Sequence, residues 1–149
     1  MILYMKAHLF DSGGNNLRIK DDLTTREKAV LKHLWDWNEP LTQNEMAERL
    51  TQEGWSSVTL FKTVQSLSEK GYLEVAGLEK TVKTYARKLV PALTKEEYYA
   101  SVLMKDGISA EALANITAAF IEAGNKSDPA KKEAVIAKLE EIIASIRED

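Results

Sequence analysis

The chain has 149 residues, of which 44% are hydrophobic and 29% charged, and its formal net charge is -3. This balance is typical of a globular protein and excludes a disordered chain. No run approaches the roughly 18 apolar residues that a membrane span needs, and the absence of cysteine excludes disulfides, thiolate metal sites and thiol nucleophiles.

Residues 1–23 are predicted to form an N-terminal arm around the run Ser12-Gly13-Gly14-Asn15-Asn16. The arm either adds a strand to the following domain through residues 17–20 or remains a mobile extension. Its first ten residues are mostly apolar, but no basic region precedes them and they lack a small-residue cleavage site, so they make a poor signal peptide. We therefore expect a cytoplasmic protein.

Residues 24–91 carry the start signals of three helices. Residues 24–27 and 42–45 are capping boxes, in which a threonine and the glutamate three residues later satisfy each other's backbone amides. Ser56 is placed to cap the third helix. Apolar residues follow each start signal at helical spacing. They are Val30, Leu31, Leu34 and Trp35 in the first helix, Met46, Ala47 and Leu50 in the second, and Leu60, Val64 and Leu67 in the third.

Two strands are predicted after the third helix. Gly71 is placed to end that helix in the left-handed conformation. Residues 72–75 and 83–89 have the composition of strands, and residues 76–82 would join them. Three short helices followed by a hairpin is the order of a winged helix-turn-helix domain, in which the third helix reads the DNA groove and the hairpin is the wing.

Residues 92–149 are predicted to be helical. Thr94 opens one helix, Ser109 caps a second that ends at Gly124, and Asp128-Pro129 opens a third. In the last helix the apolar residues Val135, Leu139, Ile142 and Ile146 are spaced by four, three and four positions. This spacing is typical of a helix face that packs against another helix. These helices have too little other mass for a core of their own, so we expect a homodimer.

The predicted fold is therefore mostly α with a small β-hairpin. A winged helix-turn-helix domain over residues 24–91 would precede a helical dimerisation domain over residues 92–149. Six basic and three acidic residues give residues 57–91 a net charge of +3, whereas seven basic and eleven acidic residues give residues 92–149 a net charge of -4. A basic region on an acidic protein would orient the molecule on a polyanion such as DNA.

The candidate DNA contacts lie on the third helix and in the wing. They are Ser56, Ser57, Val58, Thr59, Phe61, Lys62, Gln65 and Ser66 on the helix, with Lys80 and Lys83 in the wing. Phe61 either packs against the second helix or protrudes toward a thymine methyl group. Lys62, Gln65 and Ser66 form either a reading surface or an ordinary solvated face.

The sequence resembles the penicillinase and methicillin-resistance repressors (BlaI/MecI type) from about Leu23 to Leu103. The resemblance rests on Leu23, Thr24, Glu27, Val30, Leu34, Trp35, Thr42, Glu45, Leu50, Trp55, Ser56, Thr59, Leu60, Leu67, Lys70, Gly71 and the run PALTKEEY at residues 91–98. It implies a homodimeric winged-helix repressor of a palindromic operator, with an upstream membrane sensor system whose signal triggers proteolysis in the dimerisation region. A related branch senses copper through cysteines, which this chain lacks.

The chain departs from the family pattern at the reading helix. Ser66 stands where a basic residue is common, Lys62 replaces a common threonine, and Phe61 replaces tyrosine or arginine. Lys28 stands where tryptophan often follows the first-helix glutamate. The fold is therefore expected to transfer from the family, whereas the operator sequence is not.

An enzyme is not predicted, and no cofactor or metal is expected. The run SGGNN lacks the spacing of a phosphate-binding loop, no nucleophile elbow is present, and His8 and His33 are too far apart in sequence to suggest a metal site. The alternative function is a winged-helix protein–protein adaptor without operator binding. Val58 and Phe61 favour that alternative because both are apolar residues on the expected reading face.

Overall fold

A computed structural model describes residues 23–124 and 128–148 of the chain. The predicted arm lies outside the described residues except for Leu23, and so does the candidate strand at residues 17–20. The chain divides into two units, and the boundary follows Lys105.

Unit 1 contains the predicted three helices and hairpin, followed in the chain by one more helix. Its elements are α1 (Thr25–Trp37), α2 (Gln43–Leu50), a one-turn 3-10 helix (Thr51–Glu53), α3 (Ser57–Glu69), β1 (Leu73–Lys80), β2 (Tyr85–Pro91) and α4 (Lys95–Lys105). The predicted fold class, mostly α with a small hairpin in winged-helix order, is confirmed.

Local capping fixes the starts of α1 and α2 as predicted. The Glu27 amide donates to Thr24 Oγ1 over 3.2 Å, and Glu27 Oε1 accepts from the Thr24 amide over 2.7 Å. The same reciprocal pair joins Thr42 and Glu45. Both capping boxes are therefore confirmed.

The ends of these helices use left-handed residues. Asn38 follows α1 with a φ of 52°, and Gly71 follows α3 with a φ of 86°. The second helix ends at Leu50, and Gly54 closes the 3-10 turn that follows it with a φ of 92°.

The hydrophobic core of unit 1 lies among α1, α2, α3, the base of the hairpin and the start of α4. Its largest fully buried apolar side chains are Val30, Leu31, Leu34, Leu41, Met46, Leu50, Leu60, Val64 and Leu67. An isolated antiparallel bridge fixes the hairpin to the loop before α2. The Leu89 amide donates to the Leu41 carbonyl over 2.8 Å, and the Leu41 amide donates to the Leu89 carbonyl over 3.2 Å. The wing thus starts from a fixed base.

The hairpin is longer than predicted. β1 pairs antiparallel with β2 along its length, apart from a bulge between Val75 and Gly77. The predicted connection of residues 76–82 is corrected to residues 81–84, because β1 continues through Lys80. The glycine and charged residues of this stretch resembled a loop, but cross-strand hydrogen bonds hold them in the strand.

The fourth helix packs in unit 1. Trp35 donates its indole N–H to the Leu93 carbonyl over 3.0 Å, and its ring lies 5.6 Å from that of Tyr98. Tyr98 and Ser101 are buried. In the structure α4 belongs to unit 1, since Tyr98 is part of the core of that unit. The division into a DNA-binding domain over residues 24–91 and a dimerisation domain over residues 92–149 stays a prediction.

Unit 2 consists of α5 (Ala110–Gly124) and α6 (Pro129–Glu148). Ser109 Oγ accepts from the Ala112 amide over 3.0 Å, and Asp128 Oδ1 accepts from the Ala130 amide over 3.1 Å, as the start signals predicted. Neither helix contains a buried residue. Across the described ranges, no helix is long and apolar enough to cross a membrane.

Candidate nucleic-acid interface

The start of α3 is a small hydrogen-bonded cap. Ser56 Oγ accepts from the Thr59 amide over 3.1 Å and donates to Thr59 Oγ1 over 2.9 Å. Thr63 Oγ1 donates to the Thr59 carbonyl over 2.7 Å. The cap leaves the first helical amides at the exposed end of α3, where backbone N–H groups and the helix dipole favour a phosphate.

The outward face of α3 carries four of the predicted contact residues. Ser57, Val58, Lys62 and Gln65 are exposed, whereas Leu60, Thr63, Val64 and Leu67 face the core. Val58 is 64% exposed. Gln65 Nε2 donates to Glu69 Oε1 over 3.2 Å, which orients its amide along the helix surface. This face presents an ammonium group, an amide and an apolar surface together.

Phe61 and Ser66 are placed differently from the other candidates. Phe61 is half-buried and packs against the hydrophobic core. Ser66 was expected on the outer face. Its hydroxyl instead donates to Glu27 Oε2 over 2.6 Å, because a buried carboxylate lies beside the helix there.

Glu27 is the centre of a polar cluster that sequence reasoning recognised only as a helix cap. The residue is 2% exposed, and its carboxylate accepts from Ser66, from the Thr24 amide and from Lys70 Nζ, the last over 2.9 Å. Burial alone would raise the pKa of Glu27, but these hydrogen bonds, led by that from Ser66, outweigh it and lower the pKa to about 2. The cluster joins the start of α1 to the end of α3.

One face of the hairpin combines cations with apolar side chains. Lys80 lies opposite Tyr85, and Leu78 lies opposite Arg87. Alternation along a strand places these two pairs on the same face, and all four side chains are exposed. Tyr85 and Arg87 were not among the predicted contacts. They are two positions apart in the predicted strand, so strand alternation would have placed them on one face.

The tip of the hairpin is a closed turn. The Thr81 amide donates to the Thr84 carbonyl over 2.7 Å, and the Thr84 amide donates to Thr81 Oγ1 over 3.1 Å. Val82 and Lys83 lie between them, and both are exposed. The turn holds the predicted contact Lys83 at the outermost point of the wing.

Two of the basic residues counted in this region are occupied inside the domain. Lys70 pairs with Glu27 over 2.9 Å, and Lys88 pairs with Glu45 over 3.4 Å. Within the described part of the chain, no carboxylate pairs with Lys62, Lys80, Lys83 or Arg87. Those four cations therefore carry the positive charge that this surface offers to a polyanion.

The seam predicted on α6 is exposed in the single chain. Val135, Ile142 and Ile146 are exposed, and Leu139 is half-buried. Their spacing places them on one side of the helix. Apolar side chains aligned this way are the pattern of a helix face that packs on a partner.

His33 belongs to the surface of unit 1. Its ring stacks on Trp37 with centroids 5.2 Å apart, and its Nε2 lies 3.1 Å from Glu53 Oε2. Among residues 23–124 and 128–148, no group of three or more histidine, aspartate or glutamate side chains could hold a metal ion. His8 lies outside the described residues.

Comparison with known proteins identifies the family to which the chain is similar. The family model described as "Penicillinase repressor" matches residues 23–145. Among solved structures, the peroxide-sensing regulator PerR from Streptococcus pyogenes shares 14% identity over 46% of each chain, with a TM-score of 0.36. A MarR protein from Peptoclostridium difficile DA00132 shares 18% identity over 85% of this chain and 71% of its own, with a TM-score of 0.38. The match to PerR thus spans less than half of that protein, and no protein of curated function matches the chain significantly.

Proposed function

The chain belongs to the penicillinase repressor family of transcriptional regulators, and on this premise we propose that it is a sequence-specific DNA-binding repressor that acts as a cytoplasmic homodimer on a palindromic operator. The observation that carries the proposal is the outward face of α3. That face presents Lys62 and Gln65 above a packed inner face, on the element that reads bases in winged-helix proteins.

Each element has a separate part in the proposed complex. Lys62 and Gln65 meet base edges and phosphates in the major groove, with Ser57 and the amides at the start of α3 on the adjacent backbone. Lys80, Lys83 and Arg87 in the wing neutralise phosphates on the flank of the half-site. Phosphate contacts of this kind fix position, whereas the α3 side chains supply sequence preference.

The dimer follows from unit 2. A single α3 reads one half-site, and joining two copies makes the second contact intramolecular, which multiplies the affinity without new contacts. The exposed apolar residues of α6 supply a surface that a second copy would cover. Family membership also extends the proposal to an upstream membrane sensor system that relieves repression.

The alternative, a protein–protein adaptor, retains one observation in its favour. Val58 is an exposed apolar residue on the outward face of α3. Phe61 no longer supports an adaptor, because it packs against the core. A DNA reader binds duplex DNA with a steep salt dependence, whereas an adaptor does not.

We predict that Lys62→Ala and Lys80→Ala each weaken operator binding and flatten its salt dependence. Each change removes one cation, so the slope of log K against log salt should fall by about one, with a loss of affinity of about 3- to 10-fold at moderate salt. Fluorescence anisotropy of a labelled duplex at several salt concentrations measures both quantities.

Lys95→Ala is the matched control for this test, since Lys95 is an exposed lysine at the start of α4 and its loss changes the net charge equally. We expect its slope and affinity to equal those of the unchanged protein. If Lys62→Ala and Lys80→Ala behaved like Lys95→Ala, the DNA contacts would be misassigned.

A further inference from the structure

A groove of about 220 Å³ lies between α1 and α4, within unit 1. Its lining comes from the outer side of α1, the facing side of α4 and the residue before α1: Leu23, Lys28, Leu31, Lys32, Trp35, Tyr98, Tyr99 and Val102. The groove has no part in the proposed DNA contacts, because none of these residues belongs to α3 or to the wing.

Three of the eight residues that line the groove are aromatic. Trp35 and Tyr98 are buried with their rings 5.6 Å apart, and the ring of Tyr99 lies edge-on to Tyr98 at 5.3 Å. The indole N–H of Trp35 is bonded to the Leu93 carbonyl, so this side chain offers the groove only its ring surface. Such a wall favours a flat aromatic group, which stacks offset or edge-on against the rings.

The rim of the groove carries the exposed lysine Lys32 of α1, and none of the eight lining residues is acidic. Lysine is a compact point charge that pairs readily with a carboxylate. An apolar floor with lysine at its edge is complementary to a molecule that has one flat ring system and one negative group.

The volume limits the size of that molecule. Sites for drug-sized ligands usually span roughly 300–1,000 Å³, whereas this groove has about 220 Å³. One or two fused rings with a single carboxylate would fill it. A larger polyanion would not enter.

We propose that the α1–α4 groove is a binding site for a small aromatic monocarboxylate. The ring system lies against Trp35 and Tyr98, with Tyr99 at its open side, and the carboxylate meets the ammonium of Lys32. The inference concerns ligand binding alone and does not rest on the repressor function, so it is tested without DNA.

The test is isothermal titration calorimetry of the full-length chain with 2-naphthoate and with its neutral isostere, naphthalene-2-carboxamide. We expect 2-naphthoate to bind with a dissociation constant on the order of 1 mM or tighter and the carboxamide to bind about 5-fold more weakly, the difference expected for one exposed ion pair. Equal affinity for the two probes, or no binding of 2-naphthoate, would overturn the proposal.

Three variants locate the site. Lys32→Gln should weaken 2-naphthoate about 5-fold and leave the carboxamide unchanged, since only the charge is removed. Val102→Trp, which fills the groove, and Tyr99→Ala, which removes an aromatic wall, should weaken both probes, with circular dichroism confirming that each variant is folded. Lys62→Gln is the matched control and should bind both probes normally.

The groove could instead receive a second copy of the chain, and the same variants distinguish that case. If 2-naphthoate failed to bind while Val102→Trp lowered the oligomeric state in sedimentation, the groove would be a protein interface and the ligand proposal would be wrong. Unchanged 2-naphthoate binding in Val102→Trp would also contradict it, because the probe would then lie elsewhere.

Discussion

Ile142→Glu is expected to make the protein monomeric and to weaken operator binding by about 10²- to 10⁴-fold. Ile142 belongs to the apolar series of α6 and is 44% exposed in the single chain, so a partner helix would cover it in the proposed dimer. A buried, unpaired carboxylate at such a seam is strongly unfavourable. Leu139→Asp should behave in the same way. Sedimentation velocity and DNA titration of the same samples measure the two effects.

Ala144→Glu is the matched control for this prediction. Ala144 is an exposed residue of α6, and helical geometry places it about 180° around the helix from the centre of the apolar series. The Ala144→Glu substitution introduces the same charge as Ile142→Glu, so we expect a dimer with normal operator affinity. A monomeric Ile142→Glu protein that still bound the operator as tightly as before would refute the proposed role of the dimer.

Glu27→Gln is expected to lower the free energy of unfolding by on the order of 3 kcal/mol near neutral pH. The pKa of this carboxyl falls from its ordinary value of 4.5 to about 2 in the folded protein, and that difference is a stabilisation of the folded state. The variant keeps the shape of the side chain but loses the charge that Lys70 and Ser66 contact. Urea unfolding followed by tryptophan fluorescence measures the change.

The effect of Glu27→Gln should depend on pH in one direction. Because the folded-state pKa is the lower one, the stabilisation is fully present above about pH 4.5 and is lost as the pH falls toward about 2. The difference between the two proteins should therefore shrink by about half at about pH 3. A difference that stayed constant or grew in acid would mean that the charge of Glu27 does not stabilise the fold.

Glu45→Gln provides the comparison for Glu27. Glu45 occupies the same position in the second capping box, and its side chain is 33% exposed where that of Glu27 is 3% exposed. Water solvates it, so its pairing with Lys88 should matter less. We expect a clearly smaller loss of stability than for Glu27→Gln.

Local signals predicted most of the fold. Thr24 and Thr42 each accept a hydrogen bond from the backbone amide three residues later. Because this interaction is local, their helices begin where the sequence indicates. Ser109 and Asp128 mark the starts of the last two helices in the same way. The order of three helices and a hairpin followed from these signals, and it was enough to predict a winged-helix domain.

Contacts between distant residues were beyond such reasoning. Ser66 lies 39 positions from Glu27, so no local pattern shows that a buried carboxylate draws its hydroxyl inward. Phe61 had two possible positions because the neighbouring apolar surface comes from other elements. The length of the hairpin was missed for the same reason, since cross-strand pairing outweighs the poor strand propensity of Gly77.

The packing of α4 in unit 1 was also hidden from the sequence. Tyr98 and Ser101 give α4 the composition of an ordinary amphipathic helix, which could join either neighbour. Its assignment depends on Trp35, whose indole bonds to the Leu93 carbonyl just before α4. This bond and the burial of Tyr98 hold α4 against the first core.

Binding to the DNA upstream of the protein's own gene tests the central proposal most directly. The duplex would be titrated at two salt concentrations against an unrelated duplex of equal length, and the complex would be footprinted. We predict preferential binding that weakens steeply with salt, with protection of two similar half-sites related by a twofold axis. Equal and weak binding to both duplexes would contradict the repressor proposal, and Val58 would then be the first residue to test for a protein partner.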